Sequence, residues 1–319
     1  MRHPPYPLRT NKAVDRFMLI EAIRQLGKPT ELAQYTYYGL GGPYLEDFRS
    51  LHESFPELKM VSFERNAETI KQQRFHQPCG PIQIRHVDVT SFIARYDSKN
   101  KKSIFWLDYD KLVYSQFDDF MTLLGKVAPD SIVKITLRAE PSDYLGNDAK
   151  DREKKDDEFR RKFSAVLPRS DVTPPPELEK FAGLLQEMAQ VAAQKALPSG
   201  TGFAYQPISS FCYKDGAGIF TLTGIVSERS RLRSVRSRFS SLKVANLDWA
   251  EPKLIDVPFL STKERLHLQK HLPCVGDAGR KLLRVLGYRI DNDRPSAVAK
   301  MKQYADFYRY YPHFVRAIP

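Results

Sequence analysis

No stretch of eighteen or more uninterrupted apolar residues occurs along the chain, and its opening residues, MRHPPYPLRTNK, contain no apolar segment of the kind a signal peptide needs. Both absences point to a soluble, non-secreted, cytoplasmic protein. Cysteine is scarce too. Cys79, Cys212 and Cys274 are odd in number, far apart and without a C-x-x-C pair, which argues against a disulfide framework or a zinc cage. They read as thiols of a reducing compartment. Histidine gives no metal spacing: His267 and His271 stand four apart in TKERLHLQKHL without the Glu of a zinc helix, and Arg265 and Lys270 beside them suggest an exposed basic face. A Ser-centred nucleophile elbow and a Walker lysine loop are both missing.

What is present is length and positive charge. The 319 residues, 42% of them apolar, suffice for one large α/β domain with an appendage or for two modest domains. Lys plus Arg at 50 against Asp plus Glu at 38 give a formal charge of +12, which favours anionic partners through steering and counterion release. The charge is uneven. SERSRLRSVRSRFSSLK, residues 227–243, sets Arg229, Arg231, Arg233, Arg236, Arg238 and Lys243 against Glu228. Forked guanidinium groups with serine spacers suit phosphate, so Arg231, Arg233, Arg236 and Arg238 are candidate contacts to RNA or DNA. A solvated basic helix or loop, or a cradle for the acidic face of a protein partner, fits the same residues.

The patterning alternates. NKAVDRFMLIEAIRQLG, 11–27, has Val14, Phe17, Met18, Ile20, Ile23 and Leu26 near helical spacing and predicts an amphipathic helix. Strands follow at 34–38, 59–64, 82–88, 103–110 and 130–138, separated by helical stretches at about 44–54, 64–75, 89–96 and 117–127. That rhythm implies right-handed βαβ crossovers and a parallel sheet covered on both faces. Residues 145–200, charged and then proline-rich before a long helical run, read as a helical insertion. FAYQPISSFCY and IFTLTGIVSE, joined by KDGAG, read as an antiparallel hairpin. Beyond 228, LSTKERLHLQKHLP carries a capping box at Ser261 or Thr262 with Glu264, and two further helices end in RPSAVAKMKQYADFYRYYPHF. There Tyr304, Phe307, Tyr308 and Tyr311 follow helical spacing, which suits docking on neighbouring helices, while Lys300, Lys302 and Arg309 between them would also suit stacking and gripping a nucleic acid.

Four strand ends carry groups of one kind of chemistry. YTYYGLGGPYLEDF, 35–48, places Gly39, Gly41 and Gly42 after the first strand, Glu64 closes the second, Asp88 the third, and Asp108 and Asp110 the fourth. Each acid singly could be a helix N-cap. Together, in this order, they resemble the class I S-adenosylmethionine-dependent methyltransferases, over about residues 11–228. The resemblance implies a Rossmann-like seven-stranded sheet, five parallel strands ending in an antiparallel hairpin, as a domain at 1–228, followed by a basic, mainly helical region at 229–319. It implies glycines under the methionine portion of S-adenosylmethionine, Glu64 at the ribose hydroxyls, Asp88 at the adenine amino group, and Asp108 and Asp110 as catalytic groups facing cofactor and acceptor.

Two departures qualify it. The family usually has an acid two residues before its first glycine, where this chain has Tyr37, and the Asp/Asn-Pro-Pro-Tyr/Phe signature of amino methylation on a base is absent. The expectation is therefore methyl transfer to an oxygen or to a large anionic substrate. The alternative is a catalytically inactive subunit of the same fold that binds nucleic acid or a protein partner in a multi-component bacterial system. A nicotinamide dehydrogenase is disfavoured because Tyr44 stands at the last glycine position of Gly-x-Gly-x-x-Gly. A divalent cation on the aspartate pair, with Asp118 and Asp119 nearby, is the less favoured reading; those two suit surface N-caps better.

Overall fold

The apolar runs in the middle of the chain become the centre of one sheet. β1 (Thr36–Gly39), β2 (Lys59–Glu64), β3 (Ile82–His86), β4 (Ser103–Asp108) and β5 (Ile132–Arg138) pair in parallel. β6 (Phe203–Asp215) and β7 (Ala217–Glu228) form the hairpin, and β8 (Lys253–Ile255) is short. The order is β3-β2-β1-β4-β5-β7-β6-β8, with β7 antiparallel to β5 and Ile132 opposite Ile225. This is the sheet the resemblance implies, extended by an eighth strand. The structure is a computed structural model and describes residues 9–80 and 82–312. Residues 1–8, Pro81 of the expected turn and the last residues of the expected C-terminal helix, 313 and 314, lie outside the described residues.

Strand composition follows position in the sheet. β4 and β5, flanked on both sides, are buried along almost their whole length, as parallel strands under helices on both faces must be. β3, at the edge, exposes most of its residues. The hairpin turn is tighter than expected: β6 runs on to Asp215 and Gly216 alone connects the strands, at φ 101°, a conformation that L side chains rarely adopt.

The helices in chain order are α1 (Thr10–Arg24), α2 (Pro29–Leu32), α3 (Glu46–Ser54), α4 (Ala67–His76), α5 (Val89–Arg95), α6 (Tyr114–Leu124), α7 (Ala149–Phe163), α8 (Leu178–Ala196), α9 (Leu232–Phe239), α10 (Thr262–Gln269), α11 (Ala278–Leu286) and α12 (Arg294–Phe307). The insertion supplies α7 and α8, and α8 presents Phe181, Leu184, Leu185, Met188 and Ala192 to the interior.

The chain divides into two compact units. The larger comprises Leu19–Cys212 and Gly216–Lys253, and so holds the central sheet, the insertion and the basic segment with α9. The smaller comprises the described part of Met1–Met18, Tyr213–Asp215 and the described part of Leu254–Pro319.

In the smaller unit the start of α1 departs from the expected amphipathic pattern, because Asn11, Lys12, Asp15 and Arg16 are buried with the apolar residues. Asp215 is one reason. Its carboxylate accepts the Lys12 N–H at 2.8 Å and the Asn11 side-chain amide at 3.0 Å, so an anion caps the positive end of the helix. Burial raises the Asp215 carboxyl while these bonds pull it down. Asn11 also accepts the Val257 N–H at 3.0 Å.

In α10 to α12 the capping box at Ser261 and Glu264 is present. Tyr304 and Tyr311 are buried edge-to-face, and the Tyr311 hydroxyl accepts the Leu260 N–H at 2.8 Å and donates to the Pro258 carbonyl at 3.0 Å. These aromatics dock the helix. His267, Lys270 and His271 are exposed, but Arg265 is buried, so the basic face there is smaller than the sequence suggests.

Candidate functional site

Sheet topology locates the site. The chain passes from β1 outward to β2 and β3, then returns to β4 and β5 on the other side, so the loops after β1 and β4 diverge and leave a crevice at the carboxyl edge. Along that edge stand, in spatial order, Asp88 after β3, Glu64 at the end of β2, Gly39 at the end of β1 and Asp108 at the end of β4. Neighbouring strands lie about 4.8 Å apart, so one extended ligand can span all four. Gly39 is in register with Ser62 and with Trp106, and Glu64 with His86.

The tyrosines before the glycines divide between the two faces of β1. Tyr37 is buried and packs edge-on against Phe48 of α3 at 5.0 Å, while Tyr38 stacks on Phe105 of β4 at 4.5 Å. A Cβ on Gly39 would come within 2.7 Å of the Tyr37 hydroxyl, so the tyrosine fills the position two before the glycine and sits against the turn. Gly41, at φ 68°, brings the backbone so close to α3 and β2 that a Cβ would lie 2.6 Å from Leu45, 2.9 Å from Phe48 and 3.1 Å from the Ser62 hydroxyl. Gly42 also has positive φ, 54°.

Gln73, in the middle of α4, fixes this turn, and no sequence signal marks it. Its amide donates to the carbonyls of Leu40 and Gly42, each at 3.0 Å, and Ser62 donates to its Oε1 at 3.1 Å. Gln73 is fully buried. A side chain from the helix after β2 therefore holds the loop after β1 by two of its carbonyls.

The acids each carry a local hydrogen bond as well. Glu64 is half-buried, and its Oε1 accepts the Asn66 N–H at 2.7 Å; Asn66, not Glu64, is the N-cap of α4. Asp88 is the N-cap of α5, accepting the Ser91 N–H at 2.9 Å, and the Ser91 hydroxyl and N–H hold its carboxyl below the usual range. It is therefore an ionised acceptor at neutral pH. Acceptors at β2 and β3 beside a turn of close backbone match the chemistry of a nucleoside with ribose hydroxyls and an exocyclic amine.

Past β4, Asp108 and Tyr109 are half-buried and Asp110 is exposed; Tyr109 reaches α6. Its hydroxyl donates to Asp119 at 2.8 Å, and Thr90 of α5 donates to the same carboxylate oxygen at 3.1 Å. Asp119 is buried one turn into α6 rather than capping it at the surface as the sequence suggested, while Asp118 is exposed. Burial raises the carboxyl of Asp119 and, still more, the phenol of Tyr109. Among the described residues, no group of three or more His, Cys, Asp or Glu is placed to hold a metal ion.

The basic segment folds as a short turn and α9, anchored by buried Val235 and Phe239. Its arginines divide. Arg231 bonds Asp130 at 3.2 Å, and Arg236 bonds Asp248 and the Leu247 carbonyl. Arg233 is exposed and Arg238 half-buried.

The family described as "Putative O-methyltransferase" matches residues 4–319, and the chain belongs to it. Comparison with curated proteins gives no match. Among solved structures, Trm1 from Pyrococcus horikoshii in complex with S-adenosyl-L-methionine is similar at 11% identity and a TM-score of 0.46, over 91% of this chain and 80% of that one. The plantazolicin methyltransferase BpumL in complex with SAH is similar at 10% identity and a TM-score of 0.38, over 67% of this chain and 84% of that one.

Proposed function

We propose that this member of the O-methyltransferase family binds S-adenosylmethionine across the carboxyl edge of β3, β2, β1 and β4 and transfers its methyl group to an oxygen of a large anionic substrate. The observation that carries the reading is the spatial order Asp88, Glu64, glycine turn, Asp108 at a topological switch point. The bound cofactor would supply an activated methyl group. The chain's residues do the rest. The turn at Gly39, Gly41 and Gly42 lets backbone approach the methionine portion, with Gln73 holding the turn in place. Glu64 accepts from the ribose hydroxyls, and Asp88, kept ionised by Ser91, accepts from the adenine amine. Asp108 and Asp110 face the acceptor, where one orients the hydroxyl and takes its proton as the oxygen attacks the methyl carbon. Arg231, Arg233, Arg236 and Arg238, of which Arg231 and Arg236 also pair with Asp130 and Asp248, form the surface that would hold the phosphates of an RNA or DNA.

A second reading rests on Tyr37. With a buried phenol at the position where the family usually has an acid, the fold would serve as a non-catalytic subunit that binds nucleic acid or a protein. Calorimetry with S-adenosylmethionine and its demethylated product separates the two. Binding of either, weakened in Glu64→Ala, supports the first; binding of neither leaves the second.

A further inference from the structure

A cleft of about 210 Å³ in the larger unit lies between α8, the start of β6 and the first residues of the basic segment. Two aromatic rings line it. Tyr205 of β6 is buried and pinned by its hydroxyl, which donates to the Val133 carbonyl at 2.8 Å, and Trp249 is half-buried with its ring centre 6.0 Å from that of Tyr205. Arg229 and Leu232 bring the basic segment to the same wall, Arg229 being fixed by the Leu197 carbonyl at 3.0 Å. Gln190 and Gln194, four apart on α8, add amides that both donate and accept. Among the described residues the lining holds no carboxylate.

Trp249 is held there against its backbone preference. Its φ of 57° is a left-handed conformation unusual for a bulky residue, and it persists only where the surroundings impose it, as they do at ligand clamps. Here each residue of the loop 246–250 is fastened. Asn246 accepts the Ala250 N–H at 2.8 Å, Gln206 donates to the Leu247 carbonyl at 2.7 Å, and Gln186 donates to the carbonyls of Trp249 and Ala250 at 3.0 and 2.8 Å. Arg236 of α9 donates to the Leu247 carbonyl at 2.9 Å and pairs with Asp248. The basic helix and the tryptophan loop are thus tied together.

An indole presented on a rigid loop, beside amides and arginines, suits a flat heterocycle that carries a phosphate. We propose that this cleft takes one unpaired base of a single-stranded nucleic acid, stacked on Trp249, with Gln190 and Gln194 at its polar edge and Arg229 toward its phosphate. The assignment rests on the reading of the arginine segment as a phosphate surface. The held nucleotide is an anchor and not the methyl acceptor. β7 runs antiparallel to β5, with Ile225 opposite Ile132, so the segment after β7 lies at the amino edge of the sheet. Asp108 closes β4 at the carboxyl edge, a strand length of about 20 Å away. A substrate that uses both must span the sheet.

The chain has two tryptophans, and Trp106 is buried in β4, so emission lost on binding reports Trp249. A short single-stranded oligoadenylate should quench the whole protein saturably. An abasic oligomer of equal length, which keeps the phosphates, should bind about tenfold more weakly by anisotropy and leave the emission unchanged. Trp249→Leu, with unchanged circular dichroism, should bind oligoadenylate about tenfold more weakly and without quenching, at an unaltered salt slope because no phosphate contact is lost. Equal affinity for the two oligomers, or Trp249→Leu binding as the wild type, would overturn the base site and leave the phosphate surface standing. Binding of neither oligomer would overturn both.

Discussion

The hydroxyl of Tyr109 donates to Oδ2 of Asp119 at 2.8 Å, tying the residue after β4 to the second turn of α6. Thr90 shares that oxygen, so the first turn of α5 and the loop after β4 meet at one buried carboxylate.

Asp119→Ala would leave two hydroxyls without their acceptor, and we expect a loss of about 3 kcal/mol in urea unfolding. The pH dependence has a definite sign. Burial raises the Asp119 carboxyl above 3.8, so the folded chain holds this proton more tightly than the unfolded chain. Its contribution is full below pH 3.8 and declines as pH rises through the raised value. Measured against Asp119→Asn, the wild-type advantage should shrink across that window, and an advantage that grew there would contradict the direction of the shift.

Asp130 behaves in the opposite sense. Burial pushes its carboxyl up, but Lys102 at 3.1 Å and Arg231 at 3.2 Å outweigh it and hold the group below 3.8. Its contribution is present above pH 3.8 and lost as pH falls through the depressed value. Arg231→Gln should cost about 1 kcal/mol at neutral pH and less in acid, since the pair is partly exposed. Arg233→Gln should change stability by under about 0.5 kcal/mol.

The same contrast sharpens the test of phosphate binding. Arg233→Gln should weaken RNA or DNA binding and reduce the salt slope by about one unit without touching the fold. Binding unchanged in this variant and in the substitution of all four arginines would move the interface elsewhere.

Gln73→Leu would leave the Leu40 and Gly42 carbonyls without their shared donor. We expect about 2 kcal/mol of destabilisation and, by calorimetry, about tenfold weaker binding of S-adenosylmethionine as the turn loosens. Stability lost with affinity retained would show that the turn does not meet the ligand.

Tyr311→Phe removes a hydroxyl that serves both the Leu260 N–H and the Pro258 carbonyl, and should cost about 2 kcal/mol. The effect should appear in the thermal unfolding of the full chain.

What the sequence made legible depended on local signals. Residues 59–64 form a strand over the predicted range because an apolar run bounded by polar residues suits a strand covered on both sides. The capping box of α10 was readable because its partners lie three residues apart. Gln73 and Asp119 were not readable. Each is a polar residue inside a helix, a pattern that ordinarily means a solvated face, and each is buried by partners 10 to 33 residues away. The burial of α1 at Asn11 and Lys12 escaped for the same reason, since the capping carboxylate of Asp215 comes from more than 200 residues on. The roles proposed for Gly39, Gly41, Gly42, Glu64, Asp88, Asp108 and Asp110 rest on strand order, which follows from the alternation of elements.

The pairing of Ile132 with Ile225 bears on how the chain is made. β5 leaves the ribosome with one edge bare and keeps it bare until the hairpin emerges, after α7 and α8 have been synthesised. For that interval a highly apolar strand presents unpaired backbone to its surroundings, which is the condition that favours pairing with another chain. The nascent protein should therefore depend on chaperones most strongly between the release of Arg138 and that of Glu228.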